Sequence, residues 1–262
     1  MSTFQVNHLC AGYGNRQIIN DFSLTLSTGL FVGLLGENGC GKTTLLKSMC
    51  GILPHTGTCS FDGTILENLS DRERSCRIGY IPQQSGISIE LSVLDVVLMG
   101  FNPKLRFFEA PDASMRQEAL TALDFVGLSS AADTDFQTLS QGQKQLCMFA
   151  RMLVSDGRLL FLDEPEGALD FRHRYLLADL LHKKVAEDRL ALVSMHDPQL
   201  AINSCDRLVL LKDGKLLSVL SPSSDSLTDM ERDLAVIYGP LSLSECTNRA
   251  GKRQLVLLHE AE

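Results

Sequence analysis

Apolar and polar positions repeat along this chain with two different periods. From Phe4 to Leu26 the period is that of strands, with Phe4, Val6, Ile18, Ile19, Phe22, Leu24 and Leu26 interrupted by Ala11, Gly12, Tyr13, Gly14 and Asn15. Alternation around a Gly-rich break predicts an antiparallel β flap. The unbroken apolar run Leu30 to Leu35 predicts a strand buried on both faces, and Thr44 to Met49 continues as a helix. Gly57 to Gly63 predicts a short strand closed by an Asp-Gly turn, and Arg77 to Pro82 a core strand that proline stops.

The pattern then becomes helical. Val93 to Met99, and Asp112 to Gly127 with Met115, Ala119, Ala122, Leu123 and Val126 three and four residues apart, predict an inserted helical lobe. Strands return at Leu159 to Leu162, Leu190 to Val193 and Leu208 to Leu211, with the helical stretch Phe171 to Ala186 among them. Strands separated by helices imply a parallel sheet covered on both faces. The expected fold class is α/β: a mixed, largely parallel sheet flanked by helices, with the antiparallel flap and an inserted α-helical subdomain. The last forty or so residues carry a weaker, mixed pattern and are too few for a second core.

A length of 262 residues with 44% hydrophobic residues suits one large α/β domain, alone or with a subdomain. The formal charge of -8 and the lack of a Lys/Arg tract argue against a nucleic-acid partner. No apolar run approaches the roughly 18 residues a membrane-spanning helix needs, and the N-terminus lacks a signal pattern, so a soluble chain in the cytoplasm is expected. Eight cysteines (Cys10, Cys40, Cys50, Cys59, Cys76, Cys147, Cys205, Cys246) form no C-x-x-C pair and have no companion His spacing. That favours reduced thiols over disulfides or zinc.

Between the Leu30 strand and the Thr44 helix stand Gly36, Glu37, Asn38, Gly39, Cys40, Gly41, Lys42 and Thr43, a G-x-x-x-x-G-K-S/T string in strand-to-helix context. Glycines let backbone N–H groups converge on an anion, and the helix opens with its positive dipole end toward it. Lys42 is expected on the β- and γ-phosphates of a nucleotide and Thr43 on Mg2+. Cys40 is either a small neutral filler or a thiol whose pKa the helix end lowers. The apolar strand ending in Phe161 and Leu162 presents Asp163 and Glu164 at its C-terminal end, where parallel sheets bind ligands. Alternation sends the two carboxylates in different directions, one toward Mg2+ (Asp163) and one toward an attacking water (Glu164). The competing reading is a carboxylate pair that caps the next helix.

Leu139, Ser140, Gln141, Gly142 and Gln143, followed by a helix, resemble the L-S-G-G-Q signature of ATP-binding cassette ATPases. The resemblance runs from about Val6 to Tyr238 and implies a P-loop ATPase fold that binds and hydrolyses ATP with Mg2+. It puts Tyr13 against adenine, Gln83 in the glutamine loop on Mg2+ and water, Asp170 in the D-loop and His196 at the switch position. Thr44 and the rest of the phosphate loop fall on the nucleotide. The same resemblance implies a head-to-tail pair of cassettes, likened to a homodimer, in which Ser140, Gly142 and Gln143 of one copy meet the γ-phosphate held by Lys42 of the other. Gln141 departs from the usual first glycine, where a side chain can crowd the nucleotide or restrict the backbone, but Ser140 and Gly142 remain and activity is expected to be retained.

The segment Val97 to Pro103, with Val97, Gly100 and Pro103 at the fixed positions, resembles the V-x-x-G-R-x-P stretch of importer ATPases for iron-siderophores, haem and cobalamin, with Phe101 in place of arginine and Lys104 in place of a common histidine. Asp233 to Gly239 is similar to the short tail of that family. These likenesses imply an importer subunit peripheral to the inner membrane, a permease whose cytoplasmic coupling helix sits in a groove near Gln83 to Leu98, and indirectly a periplasmic or lipoprotein substrate-binding protein; Ile87, Ile89, Leu91 and Val93 either line that groove or equally belong to the lobe core. Another metal or an oxyanion as cargo, or a soluble ATPase uncoupled from transport, are the alternatives. The expected division is a RecA-like core with flap (1–84 and 155–240), a helical signature subdomain (85–154) and a tail (241–262).

Overall fold

The computed structural model describes residues 1–106 and 108–260. Its first sheet is antiparallel, built from β1 (Thr3–Tyr13), β2 (Arg16–Ser27), β4 (His55–Phe61) and β5 (Thr64–Ile65) in the order β2-β1-β4-β5. Alternation in β1 slips once, because Asn7 and His8 are both exposed between buried Val6 and Leu9. His8 takes φ +51°, the register shifts there, and across the ladder Asp21 takes φ +53° and meets His8 Nδ1 at 2.6 Å. Two facing bulges explain why the strand period in the sequence is imperfect.

The second sheet has the order β10-β9-β3-β8-β7-β6. β3 (Leu30–Leu35), β6 (Ile78–Ile81), β7 (Leu159–Asp163), β8 (Leu190–Ser194) and β9 (Arg207–Lys212) run parallel, and β10 (Lys215–Leu220) pairs antiparallel at one edge. The apolar runs of β7 and β8 are buried at every position because both faces are covered. Leu159 and Phe161 point into a core shared with the antiparallel sheet, while Leu160 and Leu162 point into a core shared with helices. The phosphate-loop helix α1 (Lys42–Met49) lies in the first core and buries Leu45, Leu46 and Met49 there. Phe4 and Phe161 stack tilted across the two sheets at 5.5 Å between ring centroids.

Between β6 and β7 the chain forms α3 (Val93–Leu98), α4 (Ala113–Phe125) and α5 (Gln141–Leu153), the helical lobe the periodicity predicts; the short helix α2 (Asp71–Ser75) precedes β6. Ser92, Asp112 and Ser140 cap the lobe helices by accepting backbone N–H bonds, so each helix starts where a side-chain acceptor precedes the apolar stripe. The second core is closed by α6 (Phe171–Val185), α7 (Pro198–Ser204) and α8 (Leu227–Tyr238).

The weakly patterned end is ordered: β11 (Leu241–Thr247) and β12 (Arg253–His259) form a hairpin. It docks through Leu243 N–H to Glu231 of α8 (2.7 Å) and Leu255 N–H to Asn203 of α7 (2.9 Å). Among the described residues no helix is long and apolar enough to cross a membrane. All eight cysteines are free thiols.

Phe161 is fully buried where both sheets and α1 meet, so truncation leaves a cavity under the phosphate loop. Phe161→Ala is expected to cost about 3–5 kcal/mol and Phe161→Leu markedly less. Urea unfolding followed by circular dichroism measures the difference.

Candidate functional site

The C-terminal ends of β3, β7 and β8 converge on one edge of the parallel sheet, and the phosphate loop leaves β3 there. Two of its glycines are dictated by space. A Cβ on Gly36 would stand 2.4 Å from the Leu211 carbonyl oxygen; Gly41, the N-cap of α1 at φ +112°, would push a Cβ to 2.7 Å from the Ile19 side chain. Lys42 is buried and donates to the carbonyls of Gly36 (2.9 Å) and Glu37 (3.3 Å), which holds its ammonium inside the curl of the loop. Asn38, Gly39, Gly41, Lys42, Thr43 and Thr44 line an open cleft of about 290 Å3 together with Glu164, Arg16 and Ile18. A larger and more apolar cavity of about 470 Å3 between α4 and α6 contains none of these residues.

Asp163 is almost wholly buried at the end of β7. Its Oδ1 accepts hydrogen bonds from the Thr43 hydroxyl (3.1 Å) and the Ser194 hydroxyl (2.8 Å). Burial pushes its carboxyl above the ordinary range, and those two donors pull it partly back. The next residue, Glu164, leaves the strand at φ +50°, the left-handed region that side chains avoid. Its backbone N–H is anchored on Ser194, 2.9 Å to the hydroxyl and 3.2 Å to the carbonyl.

Glu164 Oε2 meets Gln83 Nε2 and His196 Nε2, each at 2.6 Å. The structure thus brings Lys42, Thr43, Asp163, Glu164, Gln83 and His196 into one constellation. Asp163 and Glu164 do not cap the following helix; that work falls to Asp170, which accepts from the His173 backbone N–H at 2.9 Å.

Cys40 lies with its Sγ facing Gly36, and burial pushes its thiol up, the behaviour of a small neutral filler. Tyr13 ends β1 opposite Arg16, half exposed and outside the cleft lining.

The signature residues stand elsewhere. Ser140 caps α5 and shares a capping box with Gln143, whose side chain turns back to the Ser140 N–H at 3.0 Å. Ser140, Gln141 and Gln143 are exposed and none lines the phosphate-loop cleft. Gly142 lies where a Cβ would come within 2.9 Å of the Ala168 carbonyl, so the start of α5 abuts the segment leading to Asp170. Gln141 is the first residue of α5 with no positive φ, so the backbone here makes no demand for glycine. The four apolar residues expected along a partner groove divide: Val93 is buried, Ile87 and Leu91 pack on the lobe core, and Ile89 is 64% exposed.

Three residues of this site escape sequence reasoning. Ser194 binds Asp163 and Glu164 from the neighbouring strand; its one signal is a polar residue closing the apolar run of β8. Arg16 reaches the cleft from the first position of β2. Glu166 is 2% exposed, and its Oε1 accepts the His196 backbone N–H at 2.8 Å while Oε2 has no hydrogen-bond partner among the described residues. Nothing in the string Pro165, Glu166, Gly167 announces that burial.

A glycine-curled loop feeding a buried helix, a hydroxyl and a carboxylate side by side, and a separate Ser-capped signature helix define a P-loop ATPase of the ATP-binding cassette class. Residues 19–167 match the ABC transporter family, and the chain belongs to it. It is the nucleotide-binding, ATP-hydrolysing component of that transporter class. It is 38% identical over 236 residues to the hemin import ATP-binding protein HmuV of Bordetella pertussis, covering 86% of this chain and 88% of that one. It is 36% identical over 216 residues to a probable iron chelatin transport ATP-binding protein of Helicobacter pylori, covering 81% and 84%. Among solved structures, an inward-facing putative metal-chelate type ABC transporter superposes with a TM-score of 0.81 at 25% identity, covering 99% of both chains. A dimeric bacterial ABC transporter cassette superposes with a TM-score of 0.77 at 26% identity, covering 85% of this chain and 100% of that one.

Burial pushes the Glu166 carboxyl above the ordinary range, against the smaller opposing effect of the His196 N–H. The unfolded chain ionises this group at lower pH than the folded one, so its ionisation opposes folding as pH rises and vanishes below the ordinary carboxylate range. Glu166→Gln keeps the acceptor for His196 and removes the charge. Its melting temperature is expected to match the parent near about pH 4 and exceed it at about pH 8. Glu166→Ala, which orphans the His196 N–H, is expected to lose about 1–3 kcal/mol at both.

Proposed function

We propose that this chain hydrolyses ATP at the Glu164 constellation to drive an importer for an iron-chelate, haem or cobalamin-type substrate. The observation that carries the reading is the convergence of Gln83 and His196 on one Glu164 oxygen beside the Thr43–Asp163 pair. Glu164 is the base that polarises the attacking water, Gln83 and His196 fix its direction, and Lys42 with the loop N–H groups cradles the β- and γ-phosphates. Gly36, Glu37, Asn38, Gly39, Cys40, Gly41, Thr43 and Thr44 complete the cradle, and Tyr13 stacks on the base.

The Thr43 hydroxyl, the Asp163 carboxylate and the Gln83 amide are hard oxygen donors of the kind Mg2+ takes. When bound, Mg2+ supplies neutralisation of phosphate charge. The buried Asp163, already held by two hydroxyl donors, is the anionic anchor for it.

A second copy of this chain supplies Ser140, Gly142 and Gln143 to the nucleotide. The exposure of that helix tip, remote from its own cleft, supports the pairing, and Asp170 stands on the same side through Ala168. A helix N-terminus aimed at the γ-phosphate contributes about 0.3–2 kcal/mol. ATP then favours the closed pair only through contacts the open pair lacks.

The permease partner is assigned to the groove of about 360 Å3 between β6 and the lobe, lined by Tyr80, Ile81, Met99, Pro103, Met148 and Arg151 among others. Phe101, in place of the family's arginine, is 1% exposed and fills the lobe core, with Lys104 over its ring at 5.6 Å. The cargo assignment rests on the hemin, iron chelatin and cobalamin importers among the relatives. In the proposed division the core comprises 1–84 and 155–240, the signature lobe 85–154 and the tail 241–262.

Glu164→Gln is expected to cut ATP turnover at least about a hundredfold, the scale of losing a proton-transfer or major electrostatic contribution, while ATP converts the chain to a stable dimer. Phosphate release and light scattering read the two effects, and near-normal turnover removes Glu164 from its role. Co-purification with a many-helix membrane protein encoded beside it supports the transport coupling; full ATP-dependent function without any such partner overturns it.

A further inference from the structure

His55, Cys59 and Glu67 meet on the antiparallel sheet, outside the phosphate-loop cleft. His55 opens β4, and Cys59, four residues on, shares its face of the strand. Glu67 comes from the short 3-10 turn Leu66–Asn68 that follows the edge strand β5. His55 Nε2 stands 2.9 Å from Glu67 Oε1, and the same oxygen accepts the Cys59 backbone N–H at 2.7 Å. One ligand atom from each of the three side chains lies within 4.8 Å of the others. The thiol belongs to a residue only 1% exposed, the imidazole is 7% exposed and the carboxylate 28%.

The imidazole contacts point to a cation. His55 Nδ1 faces the Leu53 carbonyl oxygen at 3.3 Å while Nε2 faces the carboxylate. Both partners are acceptors, and a neutral ring carries one N–H, so one contact sets lone pair against lone pair unless a proton or a metal ion stands on that nitrogen. With Nδ1–H donating to Leu53, the Nε2 lone pair is aimed at Glu67 and Cys59. Orientation by a backbone carbonyl is how metal-binding histidines are commonly held.

We propose that His55 Nε2, Cys59 Sγ and a Glu67 carboxylate oxygen form a binding site for a zinc-like divalent cation, with a fourth position open to water on the Glu67 side. Sulfur, imidazole nitrogen and carboxylate oxygen together suit zinc and its transition-metal neighbours, not Mg2+ or Ca2+. Ligands about 2.0–2.3 Å from a tetrahedral ion stand about 3.5 Å from one another, so a small outward movement of Oε1 from Nε2 makes room for the ion among the three ligand atoms. Burial and Glu67 push the Cys59 thiol up when no ion is present; the ion reverses that balance and releases the thiol proton to solvent. The bound ion ties β4 to the turn beyond β5 and so braces the edge of the flap. His55 also pairs with Ala11, two residues before Tyr13.

The test uses the full chain, stripped with a chelator and titrated with Zn2+ and, as a spectroscopic probe, Co2+. One zinc per chain and a thiolate-to-cobalt charge-transfer band are expected, together with a zinc-dependent rise in melting temperature. His55→Gln and Cys59→Ser should each abolish the band and weaken zinc binding at least about a hundredfold, the upper end of what losing a mere orienting partner costs. Cys76→Ser, at an exposed thiol, should leave both intact. If Cys59→Ser fails to fold, His55→Gln still decides, because its amide can replace the hydrogen bond to Glu67. Absence of stoichiometric zinc, a cobalt spectrum without the thiolate band, or zinc binding that His55→Gln leaves unchanged each overturns the site.

Discussion

A carboxylate at 1% exposure is expensive to keep ionised, and the solvation of Asp163 organises everything around it. The strand that carries it is apolar on both faces, so among the described residues its side-chain partners come from the sheet edge. Thr43 reaches it from the first turn of α1 and Ser194 from the end of β8. These two hydroxyls tie the phosphate loop, the β7 end and the β8 end into one rigid rim. The same Ser194 oxygen then accepts the Glu164 N–H and holds that residue in its left-handed backbone. One buried carboxylate thus sets the position of the phosphate-loop helix and of its neighbour Glu164.

The rim is stiff because its supports are deep. α1 is buried between the two sheets instead of lying on a surface, so Lys42 and Thr43 leave a helix that has no freedom to rock without opening a core. Gln83 is supported differently. Gln83 follows β6 at the point where the chain enters the helical insertion, and it reaches Glu164 across the cleft.

What could be read in the sequence follows from how local each signal is. The phosphate loop is a contiguous string whose glycines have local reasons, and the Asp163–Glu164 pair announces itself because an unbroken apolar strand ends in two charges. Ser194, Arg16 and Glu166 join the site through tertiary contacts between segments far apart in the chain, and no string of residues encodes them. The terminal hairpin was obscured for a different reason: β11 and β12 bury few residues, so alternation is faint and pairing with α7 and α8 supplies their order. The His55, Cys59, Glu67 cluster escaped because its spacing matches no zinc pattern; a strand and a separate turn assemble it. Gln143, which the motif places on a partner's nucleotide, also caps its own helix within the single chain.

In the proposed cycle, the strain at Glu164 and its two side-chain partners make the acid a point where separate movements are summed. Its backbone is locked to β8, but its reactive oxygen is shared between Gln83, at the boundary where the chain leaves the core for the lobe, and His196, whose N–H is fixed by buried Glu166. A lobe rotation that draws Gln83 away leaves His196 as the sole donor and frees one lone-pair direction of the carboxylate for water. A movement driven by a membrane partner in the groove beside β6 therefore reaches the acid through a single hydrogen bond, with no need to deform the rim. Conversely, a γ-phosphate that recruits Gln83 or His196 pulls on the lobe through the same bond. Reciprocity of this kind is what a motor requires, because a ligand shifts a conformational balance only by the difference in its contacts between the two states.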